Sequence, residues 1–122
     1  MWGVSDLSKE EIFQEIGKII ANFNLYECDD CVRAIMQWLG ANGIEGKIIK
    51  LKTKYDEDFI LSERLESQGI TEAVTINGRH YGVEVLGLVY DNISPTGMSL
   101  EDWQKDFHCP SEEFIIEYIS RL

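Results

Sequence analysis

The chain has 122 residues, 44% of them hydrophobic, with 22 acidic against 11 basic residues and a formal net charge of −11. That length fits one domain over 1–122 and should bury roughly two-thirds of the unfolded surface. The acid excess argues against nucleic acid or an anionic membrane as a partner, because phosphate binding needs clustered Lys and Arg. No apolar run approaches the roughly 20 residues of a membrane span, and no basic segment with an apolar stretch behind it marks a leader. Three cysteines predict reduced thiols and synthesis in the cytoplasm, with export open to a route that reads no N-terminal signal.

Residues 1–7 read as a lead-in. Ser8 followed by Glu11 has capping-box spacing. Ile12, Ile16, Ile19, Ile20 and Phe23 then recur at helical spacing and predict an amphipathic helix over 9–23. Val32, Ile35, Met36 and Leu39 predict a second helix over 29–41, stopped by Asn42-Gly43. Its apolar stripe runs backward through Cys31 and Cys28, four residues before Ile35 and Val32 respectively.

Lys47 to Thr53 favours a strand. An acidic loop follows from Tyr55 to Asp58, then a short strand at Phe59–Leu61 and a helical turn or loop over Ser62–Gln68. Thr71 to Ile76 favours β structure and runs into the Asn77-Gly78 turn signal. Two strands between His80 and Asn92 read as a hairpin about Leu86-Gly87. Pro95-Thr96-Gly97 suggests a turn. Ser99 with Asp102 suggests the cap of a helix running through Trp103 and Phe107, and Pro110-Ser111 the start of a last helix with Phe114, Ile115, Tyr118 and Ile119 on its apolar face. Helices, then strands, then helices predict an α+β fold: N-terminal helices packed on a small antiparallel sheet, with C-terminal helices.

The hairpin is the first candidate site. A two-residue turn pairs Val83 with Tyr90 and sets Gly82 opposite Asp91, so His80 and Asp91 share a face as diagonal neighbours about 7–8 Å apart at the backbone. A carboxylate there can accept the imidazole Nδ1–H and leave Nε2 as a base, with Gly82 leaving room for the contact. A three-residue loop would shift the register and separate the pair. The blander reading is a surface histidine beside an ordinary strand-end aspartate.

The cysteines are the second. A helix N-terminus or a nearby imidazolium favours a thiolate, and Cys28 stands where free backbone N–H groups also offer an oxyanion site. Cys31 lies in the first turn, while Asp29 and Asp30 oppose ionisation locally. Other readings of Cys28-x-x-Cys31 are a redox pair, half of a zinc site completed by His108-Cys109, or two thiols packed as small hydrophobes.

Taken together, Leu25-Tyr26-Glu27-Cys28-Asp29-Asp30-Cys31, Gly43-Ile44-Glu45-Gly46, Asn77-Gly78-Arg79-His80-Tyr81-Gly82, Val89-Tyr90-Asp91-Asn92 and Trp103 resemble the papain-fold toxin domains of bacterial polymorphic toxin systems, of the second papain-fold toxin type, over roughly residues 22–109. The resemblance implies a papain-like cysteine hydrolase fold and a peptidase or glutamine deamidase activity on a protein substrate. It implies Cys28 as nucleophile with Cys31 as the alternative, His80 as base and Asp91 as its orienting acid. Papain-like enzymes place an amide side chain six residues before the nucleophile as an oxyanion donor, and Asn22 stands six before Cys28. Papain itself has a Cys-x-x-Cys and uses the second, which keeps Cys31 open. A cognate immunity protein is the implied partner, and no cofactor or metal is called for. Two alternatives stand beside this reading: an inactive papain-like domain whose acidic surface binds a cognate protein, and a small protein with a structural zinc site.

Overall fold

The computed structural model describes residues 6–122; residues 1–5 of the expected lead-in lie outside the described residues. Helix α1 spans Lys9–Ile20 and α2 spans Cys28–Ala41. Strand β1 (Lys47–Thr53), β2 (Leu61–Ser62), helix α3 (Glu63–Ser67), β3 (Arg79–Val85), β4 (Leu88–Asp91), β5 (Ser94–Met98), helix α4 (Leu100–Lys105), β6 (Phe107–His108) and β7 (Phe114–Ile119) follow. The main sheet has the order β5-β4-β3-β1-β7 with every pairing antiparallel, and β2 pairs with β6 apart from it. This is the α+β arrangement that the pattern of elements predicts. No helix among the described residues is long and apolar enough to cross a membrane.

The capping box closes as its spacing predicts. Ser8 Oγ accepts the Glu11 N–H at 3.2 Å, and Glu11 Oε1 accepts the Ser8 N–H at 3.2 Å. Ile12, Ile16 and Ile20 point inward from α1, and Cys28, Cys31, Val32, Ile35 and Leu39 from α2.

The sheet has a core on each face. Ile48, Val83, Val85 and Tyr90 pack with α1 and α2. Ile49, Leu51 and Val89 pack on the other face with Ile60, Leu65, Val74, Trp103 and Phe107. Adjacent strand residues point to opposite faces, so consecutive Ile48 and Ile49 belong to different cores.

The hairpin between β3 and β4 has the expected register: Val83 faces Tyr90, Glu84 faces Val89 and Val85 faces Leu88. Leu86 and Gly87 form the two-residue turn with φ of 49° and 86°. Positive φ at both positions suits the right-handed twist of the strands, and Leu86 accepts it with its side chain 46% exposed.

The C-terminal segment departs from expectation. Residues 114–119 form an edge strand on β1, with Leu51 opposite Ile116 and Ile49 opposite Tyr118, so the last of the two expected C-terminal helices is a strand. Three isoleucines and two aromatics in six residues favour extended backbone. The run also presents apolar side chains to both cores, with Phe114 and Ile116 on one and Ile119 on the other. Pro110-Ser111 starts no helix; Ser111 instead donates its N–H and hydroxyl to the Glu57 carboxylate at 2.9 and 2.6 Å. Three smaller expectations also change. Pro95–Gly97 lies in β5 rather than in a turn, with a register shift between β4 and β5. The expected strand over 71–76 is reduced to a single bridge between Ile60 and Thr75. The Trp103 helix ends at Lys105, so Phe107 belongs to β6.

Candidate active site

The carboxylate of Asp91 is wholly buried at the end of β4. Its Oδ2 lies 2.8 Å from His80 Nε2 and accepts the Trp103 indole N–H at 2.7 Å. Its Oδ1 accepts the backbone N–H of Ile93 at 2.9 Å. An unpaired buried carboxylate is costly, whereas one holding charged and neutral donors is stabilised. Burial alone would raise the Asp91 pKa, but the charge and hydrogen bond of His80, with hydrogen bonds from Ser94 and Trp103, bring it below the ordinary carboxylate value.

His80 enters the same site from β3 and is also wholly buried. Its ring stacks on Trp103 with centroids 6.0 Å apart and meets Phe107 at 5.1 Å. Burial would lower its pKa; the hydrogen bond and charge of Asp91, then those of Cys28, outweigh burial and raise it from 6.5 to about 9. The two ring nitrogens have the opposite roles to those expected. Nε2 is held by Asp91, and Nδ1 has no aligned hydrogen-bond partner among the described residues. Gly82 also clears space differently than its pairing suggests: a Cβ there would stand 3.2 Å from Trp103 Cζ2 and 3.1 Å from the Tyr90 carbonyl. The space is occupied by the indole that grips Asp91.

Cys28 is the first residue of α2, and its thiol donates to Asp29 Oδ1 at 3.3 Å. It is near enough to His80 to contribute to the raised imidazole pKa. Cys28 also lines a cleft of about 430 Å³ with Tyr26, Asp29, Arg33, Thr75 and Arg79. Cys31, one turn on, is fully buried; burial, with the charges of Asp91, Cys28 and Glu27, pushes its thiol up to about 12. All three cysteines are free thiols. Asn92 ties the halves of the site together, its amide donating to the Asn24 carbonyl at 3.0 Å across 68 residues of chain.

Asn22 is exposed at the end of α1, where its amide donates to the Lys18 carbonyl at 3.2 Å. His108 sits elsewhere, at the short β6 strand, with Nδ1 2.9 Å from Glu112 Oε2 and Nε2 3.4 Å from Glu63. No set of three or more His, Cys, Asp or Glu side chains among the described residues is placed to hold a metal ion.

The family model for papain fold toxin 2 matches residues 11–108. The chain belongs to the papain fold toxin 2 family. The matched span of this papain-fold toxin runs from α1 into β6 and includes Asn22, Cys28, Cys31, His80, Asp91 and Trp103, while β7 lies beyond it. No curated protein sequence and no solved structure matches the chain.

Three contributors to the site carry no signal in residue spacing. Trp103 looks like an ordinary apolar residue of a short helix. Asp29 looks like a helix-start charge. The Ile93 N–H belongs to the backbone. Trp103 and Asp29 have a pointer, as part of the family resemblance.

Proposed function

We propose that this papain-fold toxin is a cysteine hydrolase acting on a protein substrate, as a peptidase or a glutamine deamidase. The observation that carries the reading is the wholly buried His80–Asp91 pair with Cys28 near it at the head of α2, lining a cleft. Of the two candidate thiols, Cys28 lines the cleft, whereas burial keeps Cys31 protonated.

In the proposed reaction the proton of Cys28 is already held at His80 Nδ1, as an imidazolium, and the sulfur bonds to a backbone or glutamine side-chain carbonyl carbon. The carbonyl electron pair moves onto oxygen, where backbone N–H groups of the first turn of α2 stabilise it. Asn22 joins as a donor once its amide leaves the Lys18 carbonyl. Collapse of the intermediate breaks the C–N bond, and Nδ1–H protonates the departing amine or ammonia. Water, deprotonated by Nδ1, then cleaves the thioester and regenerates the thiolate. Throughout, Asp91 accepts the Nε2–H, holding the ring in one orientation and stabilising the imidazolium. We further place synthesis in the cytoplasm, with export as toxin cargo and a cognate immunity protein as partner.

The test is to incubate the protein, and separately its Cys28→Ser variant, with a bacterial lysate and analyse the products by mass spectrometry. New protein N-termini mark a peptidase, and conversion of Gln to Glu marks a deamidase. Neither signal rising above the Cys28→Ser control would favour a binding domain with an inactive papain-like site.

A further inference from the structure

The two donors that hold Asp91 come from different parts of the chain. Trp103 belongs to α4, and the Ile93 N–H belongs to the turn between β4 and β5. One side chain from a third segment reaches both. Arg64, in α3, donates Nη2–H to Ser94 Oγ at 2.9 Å and Nη1–H to the Ile93 carbonyl at 3.4 Å. Its Nε lies 3.1 Å from Asp106 Oδ2, close enough to pair charges but off-axis for a hydrogen bond. Asp106 is the C-cap of α4, three residues after Trp103. It is buried and further fixed by the Ser62 hydroxyl at 2.5 Å and the Arg64 backbone N–H at 2.9 Å. Ser94 is in turn the cross-strand partner of Asp91, and its hydroxyl helps to hold the Asp91 carboxyl below the ordinary value.

We infer that Arg64 is a positioning residue for Asp91: its guanidinium joins α4 to the 93–94 turn and so fixes the two segments whose donors occupy the two carboxylate oxygens. A planar fork with several N–H groups can serve a carboxylate on one edge and a carbonyl and hydroxyl on the other, which an ammonium cannot. Asp106 alone would hold α3 to α4 without reaching the turn. Ser94 alone would contact Asp91 without registering the turn against Trp103. The inference rests on the proposed hydrolase site for its catalytic meaning, but its structural content concerns the His80–Asp91 pair alone.

The test compares Arg64→Met, Arg64→Lys and Ser94→Ala with the wild-type protein. Each is read by the NMR titration of the His80 ring nitrogens and by the rate at which iodoacetamide alkylates Cys28. Folding should survive, because Asp106 keeps the Ser62 hydroxyl and the residue-64 backbone N–H in every variant. Cys28 and Cys31, the titratable groups that approach the pair from α2, are unchanged throughout. The expected result is a His80 midpoint lower by about one pH unit in Arg64→Met, and alkylation slower by about tenfold, as for other outer-shell partners. Arg64→Lys should resemble Arg64→Met, because it keeps a charge for Asp106 but loses the fork, and Ser94→Ala should shift His80 in the same direction. A His80 titration unchanged in Arg64→Met and Ser94→Ala would overturn the inference, as would full restoration by Arg64→Lys, since a plain ion pair would then suffice. If His80 shifts while alkylation does not depend on His80 at all, the clamp stands and the hydrolase reading fails.

Discussion

At Asp91, two N–H donors and a buried imidazole make a carboxylate stable where none should be without partners. Removing one donor should show directly. Trp103→Phe keeps the ring packing on His80 and Phe107 but deletes the N–H to Oδ2, and a buried hydrogen bond to a charged group contributes about 1.5–3 kcal/mol. Urea unfolding should report a loss of that order. The pH dependence follows from both partners. The His80 pKa is raised, so its contribution is complete below 6.5 and is lost as pH climbs toward about 9. The Asp91 pKa is lowered, so its contribution is present above the ordinary 3.8 and is lost as pH falls below it. Stability referred to the His80→Gln, Asp91→Asn double variant should therefore be greatest between these limits and decline on both sides in thermal melts. Strand parity was enough to bring His80 and Asp91 together from the sequence. It could not say which ring nitrogen Asp91 takes, because that depends on how the Trp103 and Phe107 rings set the imidazole plane.

At the level of elements, the β3–β4 hairpin sets the register on which the site depends. Leu86 holds φ of 49° while exposed, a conformation that asparagine tolerates better. Leu86→Asn should stabilise the protein by about 0.5–1 kcal/mol without touching the site, measurable as a higher urea midpoint. Gly82→Ala should act the other way. Its added methyl meets the Tyr90 carbonyl, Val89 Cγ1 and Trp103 at 3.1–3.2 Å, and overpacking of this kind costs about 1–3 kcal/mol. Its thermal midpoint should fall. The two N-terminal helices were legible because Ser8, Glu11 and the isoleucine spacing act locally. The last strand was not. Phe114, Ile115, Tyr118 and Ile119 have the spacing of a helical stripe, and a short apolar run that packs partly on both faces has no period of its own. Only the free edge of β1 decides between the two, and that edge is a tertiary fact.

The whole molecule places its sheet between two cores, with β5 and β7 as edges. β5 is blunted by Pro95 and by the register shift against β4. β7 completes β1, so Ile115→Pro should remove a ladder hydrogen bond opposite Lys52 and cost about 1–3 kcal/mol, read by urea unfolding. The α+β class was readable from the order of elements, while the joining of sites far apart in sequence, as by Asn92 and Asn24, was not, since no local pattern encodes it. What the molecule brings together is a thiol at a helix start and an imidazole–carboxylate pair on two strands. The most direct test of that union is the rate at which iodoacetamide alkylates Cys28 near neutral pH, followed by peptide mass spectrometry in wild-type protein and in His80→Ala. The account predicts that Cys28 reacts faster than a free thiol, that Cys31 stays unlabelled, and that His80→Ala removes the enhancement. Alkylation of Cys28 no faster than a free thiol, and indifferent to His80→Ala, would contradict it.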